Sequence, residues 1–191
     1  MINIMVAGVG GQGLVLATKI IAQAGMKAGY DVKTNDVVGL SQRGGMVWGS
    51  VRIGEEVNSP NIPVGEGDII LGMEPLESLR WSYLLKDGGK VIVNTKRTYP
   101  SSVILEKDRY PDEDIEELKD KYDVTLIDAV KLAKEAGNIK AANTIMIGLL
   151  AKYLDISTSI WEEVLRDNVP KKAVEDNILA FYKGYYHGKK E

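Results

Sequence analysis

The residues best suited to chemistry in this chain are the glycines of Gly8-Val9-Gly10-Gly11-Gln12-Gly13, which follow an apolar, β-branched run at 2–7 and precede a helix-like stretch at 14–28. Strand, glycine turn and helix start in that order turn backbone N–H groups toward an anion. The first N–H groups of a helix lack internal partners, and its dipole is positive there. Gly8, Gly10 and Gly13 satisfy G-x-G-x-x-G, the spacing of a tight turn, close approach to a pyrophosphate and close helix–strand packing. A second glycine-bearing loop, Gly39-Leu40-Ser41-Gln42-Arg43-Gly44-Gly45, leads into a strand at 46–53. Its Arg43 guanidinium is a planar fork suited to phosphate or carboxylate. The plainer alternative pairs Arg43 with a neighbouring carboxylate and leaves Gly44-Gly45 as a bend. Asp36 lies at about the distance where a dinucleotide fold puts its ribose-binding acid, with a loop or cap aspartate as the competing reading.

Other chemistries are excluded by what the chain lacks. With no cysteine it holds no disulfide, no thiol nucleophile and no Cys-ligated Fe–S cluster. Its one histidine, His187, sits in a polar C-terminal tail, so neither a Ser-His-Asp triad nor a histidine metal site is expected. A formal charge of −3 gives no general attraction to nucleic acid. No apolar run is long enough to span a bilayer, and the strand-like start lacks the basic region of a signal peptide. These features predict a cytoplasmic protein, and 191 residues suit a single domain over 1–191.

The positioning elements alternate. After the helix at 14–28, with Leu14, Ala17, Ile21, Ala24 and Ala28 at helical spacing and Gly25 and Gly29 at its end, residues 30–34 read as a second strand completing a βαβ unit. Two prolines leave 58–63 irregular. An apolar strand at 68–73 leads through Glu74-Pro75 into a helix at 75–85 whose buried side is Leu76, Leu79, Tyr83 and Trp81. Strands at 90–94 and 124–127 and helices opening at Pro111 and Asp128 follow, with Asp128 as an N-cap. Glu117 and Lys121 have the favourable i,i+4 order. From Ala141 onward the pattern is helical. The stretch 143–153 is apolar on most sides and should be buried between the sheet and something else, a partner chain among the candidates. Ser159-Ile160-Trp161-Glu162 has capping-box spacing, and Val174, Ile178, Phe181 and Tyr185 share one face. The fold expected is α/β: a Rossmann-like, mostly parallel sheet flanked by helices, with a helical C-terminal region.

Gly8-Val9-Gly10-Gly11-Gln12-Gly13, Ser41-Gln42-Arg43-Gly44-Gly45, Ser59-Pro60, Asp68, Glu74-Pro75-Leu76-Glu77, Asn143-Thr144 with Gly148, and Asn177-Ile178-Leu179-Ala180-Phe181 occur together and in this order. In that combination the chain resembles the gamma-type subunit of 2-oxoacid:ferredoxin oxidoreductases, and most closely the beta subunit of indolepyruvate:ferredoxin oxidoreductases. The resemblance implies oxidative decarboxylation of a 2-oxo acid, with coenzyme A taking the acyl group and ferredoxin the electrons. It also implies that thiamine diphosphate, Mg and Fe–S clusters sit on a large catalytic (alpha) partner, since this chain has no cysteine and no evident Gly-Asp-Gly…Asn segment for thiamine diphosphate. The chain is then inactive alone. Its candidate cofactor-binding residues are Gly8, Gly10, Gly11, Gln12, Gly13, Arg43, Gly44 and Gly45, facing coenzyme A at a shared site, with no catalytic or metal-ligating residue of its own. Two alternatives stay open: an NAD(P)-binding dehydrogenase using Asp36, against which Gln12 weighs because its amide occupies the turn, and a non-catalytic scaffold whose glycines only pack.

Overall fold

The computed structural model describes residues 1–38, 45–105 and 107–188. In chain order these form β1 (Ile2–Val9), α1 (Leu14–Lys27), β2 (Asp31–Val38), β3 (Met46–Gly54), β4 (Gly67–Gly72), α2 (Pro75–Trp81), β5 (Leu85–Asn94), α3 (Ser101–Ile104), α4 (Asp112–Lys121), β6 (Asp123–Ile127), α5 (Ala129–Glu135), α6 (Ala142–Ala151), α7 (Thr158–Asn168) and α8 (Val174–Tyr185). The strands make one sheet in the order β2-β3-β1-β4-β5-β6. β1, β4, β5 and β6 are parallel neighbours, whereas β3 pairs antiparallel with both β1 and β2. The expected βαβ unit is therefore split. β1 and β2 run the same way, but the return strand of a β2–β3 hairpin lies between them.

The central strands are apolar on both faces because both faces are covered. Ile4, Val6, Leu71 and Ile92 point into the larger core with Ala17, Ile20 and Ile21 of α1 and with α6. Met5, Ile70, Val91 and Val93 point the other way, onto Ile62, Leu84 and Leu85. The proline-bearing segment at 58–63 has no regular structure, as expected, and is tied down by side chains. The buried Arg52 donates to the Ser59 and Asn61 carbonyls (3.1 and 2.9 Å) and to Asn3 Oδ1 (2.8 Å), and Ser50 donates to the Pro60 carbonyl (2.7 Å).

Several local expectations change. Gly25 lies within α1, pressed against Val32 and Ile53, and Gly29 alone marks the helix end. The helix at 75–85 stops at Trp81 and gives way to a 3-10 turn, so Tyr83 is exposed; the fully or nearly buried residues of α2 are Pro75, Leu76, Glu77 and Ser78. α7 is preceded by Ser157, not Ser159, and Glu162 accepts from the Tyr182 hydroxyl instead of closing a capping box. Within α4 the ion pair among the described residues is Lys119 with Glu116, in place of Lys121 with Glu117.

What covers the outer side of α6 is α8 of the same chain. Every residue from Asn143 to Ala151 is buried. At the crossing Gly148 faces the Phe181 carbonyl and Gly184 faces the Ile145 carbonyl, so near that a Cβ on either glycine would overlap backbone. Backbone cannot yield as a side chain can. Gly148→Ala or Gly184→Ala should therefore lower unfolding free energy by about 3 kcal/mol or more in denaturant titrations. At Gly65, which has φ +79 and open space around it, Ala should cost only about 1 kcal/mol through its backbone conformation.

Candidate functional site

The carboxyl ends of β1, β4 and β5 open into a cleft of about 580 Å³ whose lining includes Gly11, Gln12, Gly13, Lys96, Lys140 and Asn143. Gln12 builds its inner wall. The Gln12 side chain folds back so that Oε1 accepts from the Val9 N–H (2.9 Å) and Nε2 donates to the Met73 carbonyl (3.2 Å). The same carbonyl accepts from Asn94 Nδ2 (3.2 Å), and Asn94 Oδ1 accepts from the Ala129 N–H at the start of α5 (3.2 Å). One backbone oxygen at the end of β4 thus joins the turn after β1 to the end of β5 and, through Asn94, to α5. Gly8 is glycine because Gln12 Oε1 and Met73 stand where its Cβ would be.

Gly13 precedes α1 in the left-handed conformation (φ 77, ψ 30), with no side-chain cap over the helix end. The Ala17 N–H makes the first bond, to the Gly13 carbonyl at 3.0 Å, so the amides of residues 14–16 lie ahead of the helical ladder. Asn143 Nδ2 reaches the Gly13 carbonyl (3.4 Å). Its neighbour Thr144 donates to Asn177 Oδ1 (2.6 Å), and Asn177 Nδ2 donates to the Ala173 carbonyl (2.8 Å). A polar chain therefore runs from the glycine turn through α6 to α8.

The far wall hangs on Glu74, which is fully buried. Its Oε2 accepts from the Glu77 N–H (3.1 Å), capping α2, while Oε1 accepts from the Thr98 N–H (3.1 Å) and the Tyr110 hydroxyl (2.6 Å). Burial, then the bond to Glu74, push the Tyr110 phenol above its ordinary range, so it stays a donor. Glu77 is also buried. Its Oε1 meets Arg80 Nε at 3.2 Å, and its Oε2 has no hydrogen-bond partner among the described residues. Burial raises its carboxyl from 4.5 to about 7; the Arg80 charge opposes the rise and the Glu74 charge adds to it.

Of the sequence candidates, Gly11, Gln12 and Gly13 line the cleft. Gly8 packs against Gln12, and the Gly10 N–H is committed to the Gly45 carbonyl (2.8 Å). Arg43 and Gly44, with Ser41 and Gln42, lie outside the described residues. Asp36 is not brought to the turn. It sits opposite Gly49, which in turn sits opposite Val6, so one strand intervenes and about 10 Å separates Asp36 from β1 in the sheet. That separation counts against the ribose contact that a dinucleotide reading needs. Sequence reading missed Lys96, Lys140, Asn94 and the structural role of Glu74; only the Glu74-Pro75 start of a helix directly after a strand signalled a cap. Among the described residues no cluster of His, Cys, Asp or Glu could hold a metal ion, and no helix is long and apolar enough to cross a membrane.

Residues 3–186 match the family model described as pyruvate ferredoxin/flavodoxin oxidoreductase. The chain belongs to that family. It is 41% identical over 187 residues to the indolepyruvate oxidoreductase subunit IorB of Pyrococcus horikoshii, covering 94% of this chain and 92% of that one. Among solved structures it resembles the gamma subunit of the keto/oxoacid ferredoxin oxidoreductase of Geobacter sulfurreducens (TM-score 0.71, 26% identity, 97% and 96% covered). It also resembles 30% of a chain of the 2-oxoglutarate:ferredoxin oxidoreductase of Magnetococcus marinus, a structure with 2-oxoglutarate, coenzyme A and succinyl-CoA bound (TM-score 0.75, 26% identity, 96% of this chain). The resemblance drawn from the motifs is thus borne out, as is the α/β, mostly parallel fold of a gamma-type subunit. Several of those motifs now have physical roles: the glycine turn, Glu74-Pro75 and Asn143-Thr144 with Asn177 are the parts that build and brace the cleft.

A carboxyl whose pKa is higher in the folded chain than in the unfolded one favours folding while it is protonated. Glu77 therefore contributes its stability fully below about 4.5 and loses it as pH rises through about 7. Glu77→Gln should flatten the pH dependence of unfolding between those values and raise stability at pH 8 by roughly 1 kcal/mol, as read from urea titrations across pH.

Proposed function

We propose that this chain is the small, gamma-type subunit of a heteromeric 2-oxoacid:ferredoxin oxidoreductase acting on indolepyruvate or a related aryl pyruvate, and that its cleft receives the pyrophosphate of coenzyme A. The observation that carries the reading is the end-to-end likeness to a subunit named for indolepyruvate oxidation, with nearly all of both chains aligned. The cleft supports the second part. It joins the uncapped start of α1 to Lys96 and Lys140, neither of which has an ion-pair partner among the described residues.

Composition fits a division of labour. A chain with no cysteine cannot ligate Fe–S clusters through thiolates, and the family resemblance implies those clusters, with thiamine diphosphate and Mg, on the large alpha subunit. This chain's share is to bind and orient the acyl acceptor, with Gly11, Gln12 and Gly13 shaping the wall and Lys140 supplying charge. The Arg43-Gly44-Gly45 loop adds an anion contact or a clamp on the large subunit.

The test is reduction of a viologen dye that depends on both an aryl pyruvate and coenzyme A, using this chain alone, the large subunit alone and the two together. Activity is expected only from the pair. Activity of either alone, or tight NAD(H) binding by this chain, would defeat the reading. In the active pair, Lys140→Gln should raise the KM for coenzyme A about threefold to tenfold with kcat little changed, because the charge acts on binding a distal part of the ligand.

A further inference from the structure

Beside the first cleft lies a second hollow of about 490 Å³, between the chain following β5 and the side of α5, and the two share Lys96 and Val130. Its lining is basic: Lys96, Arg97, Lys131 and Lys134 against one carboxylate, Asp128. Two of these charges are spoken for. Arg97 pairs with Asp112 (2.6 Å) and lies over the Tyr110 ring, and Asp128 is turned to the Lys131 N–H (2.8 Å) as the cap of α5. Lys96, Lys131 and Lys134 have no ion-pair partner among the described residues. Elsewhere Lys27, Lys33, Lys86 and Lys90 each hold a carboxylate, while others such as Lys19 and Lys121 hold none among the described residues; what sets this hollow apart is that three such lysines line it together. In a chain of net charge −3 with 27 acidic residues, cations left without carboxylates around one hollow mark a place for an anion from outside.

We infer that this second hollow is a subsite for a phosphate monoester, the 3′-phosphate on the ribose of coenzyme A, and that it sets the preference for coenzyme A over its dephosphorylated form. The inference rests on the coenzyme A reading of the first cleft. Coenzyme A carries two separate anionic groups, a pyrophosphate and a monoester, and the protein offers two adjoining hollows joined at Lys96. The monoester is close to a dianion at neutral pH. Lys131 and Lys134, one turn apart on α5, project from the same helix face and can meet it together.

The experiment is calorimetric titration of the assembled two-subunit complex with coenzyme A and with dephospho-coenzyme A, repeated on the Lys131→Gln/Lys134→Gln variant. Both lysines are exposed, and a thermal melt checks that the variant is folded. The unmodified complex should bind coenzyme A about tenfold more tightly than the dephospho form, and the variant should lose most of that preference, as expected for two exposed charges meeting one dianion. An unchanged preference would overturn the subsite while leaving the first cleft intact. Equal weakening of both ligands would also overturn it, since that is a general field effect. If Lys140→Gln leaves the affinity for both ligands unaltered, the coenzyme A reading fails and the subsite fails with it.

Discussion

The Met73 carbonyl at the end of β4 is the point on which the site depends. It accepts from Gln12 and Asn94 together, and the Met73 N–H donates to the Ala7 carbonyl of β1 (2.8 Å). A buried carbonyl with both lone pairs used is inexpensive to keep and costly to strip, roughly 1–3 kcal/mol for a group left unsatisfied. Through it the glycine turn, the last residue of β5 and the start of α5 are held as one rigid rim. The glycine at position 8 follows from the same arrangement, since the returning Gln12 side chain needs its space. A turn usually read for what it can approach from outside is here shaped first by what fills it from within.

That rim gives an acidic protein a basic mouth. The buried Glu74 accepts from two backbone N–H groups and a tyrosine hydroxyl, which draws the segment after β5 inward. Among the described residues, Lys96 and Lys140 at the mouth are left without carboxylates. Charge placement, not total charge, decides what such a surface attracts.

Much of this was legible in the residues. The apolar runs of β1, β4 and β5, the glycine turn, Pro75 at a helix start and the Asp128 cap all act locally, through propensity, periodicity and turn chemistry, and the structure contains them. Two misplacements share one cause. β3 returning between β1 and β2, and Asp36 stranded beyond it, depend on how strands are paired, which alternation along the chain does not encode. The lysines stayed hidden because Lys96 and Lys140 are 44 residues apart and meet only once the sheet is ordered. The close approach at Gly148 and Gly184 is illegible in the residues for a similar reason, since it depends on a second helix crossing at that point. Family resemblance supplied what periodicity could not, because it carried the order of motifs that only tertiary contacts explain.

The most direct measurement of the central claim is hydrogen exchange, followed by mass spectrometry, on the assembled two-subunit complex with and without coenzyme A. Slower exchange on adding coenzyme A is expected in peptides covering residues 9–17, 95–98 and 139–143 of this chain, where the turn, the start of α1 and the two lysines line the cleft. Slowing confined to the large subunit, with those peptides unaltered, would contradict a role for this cleft in holding coenzyme A.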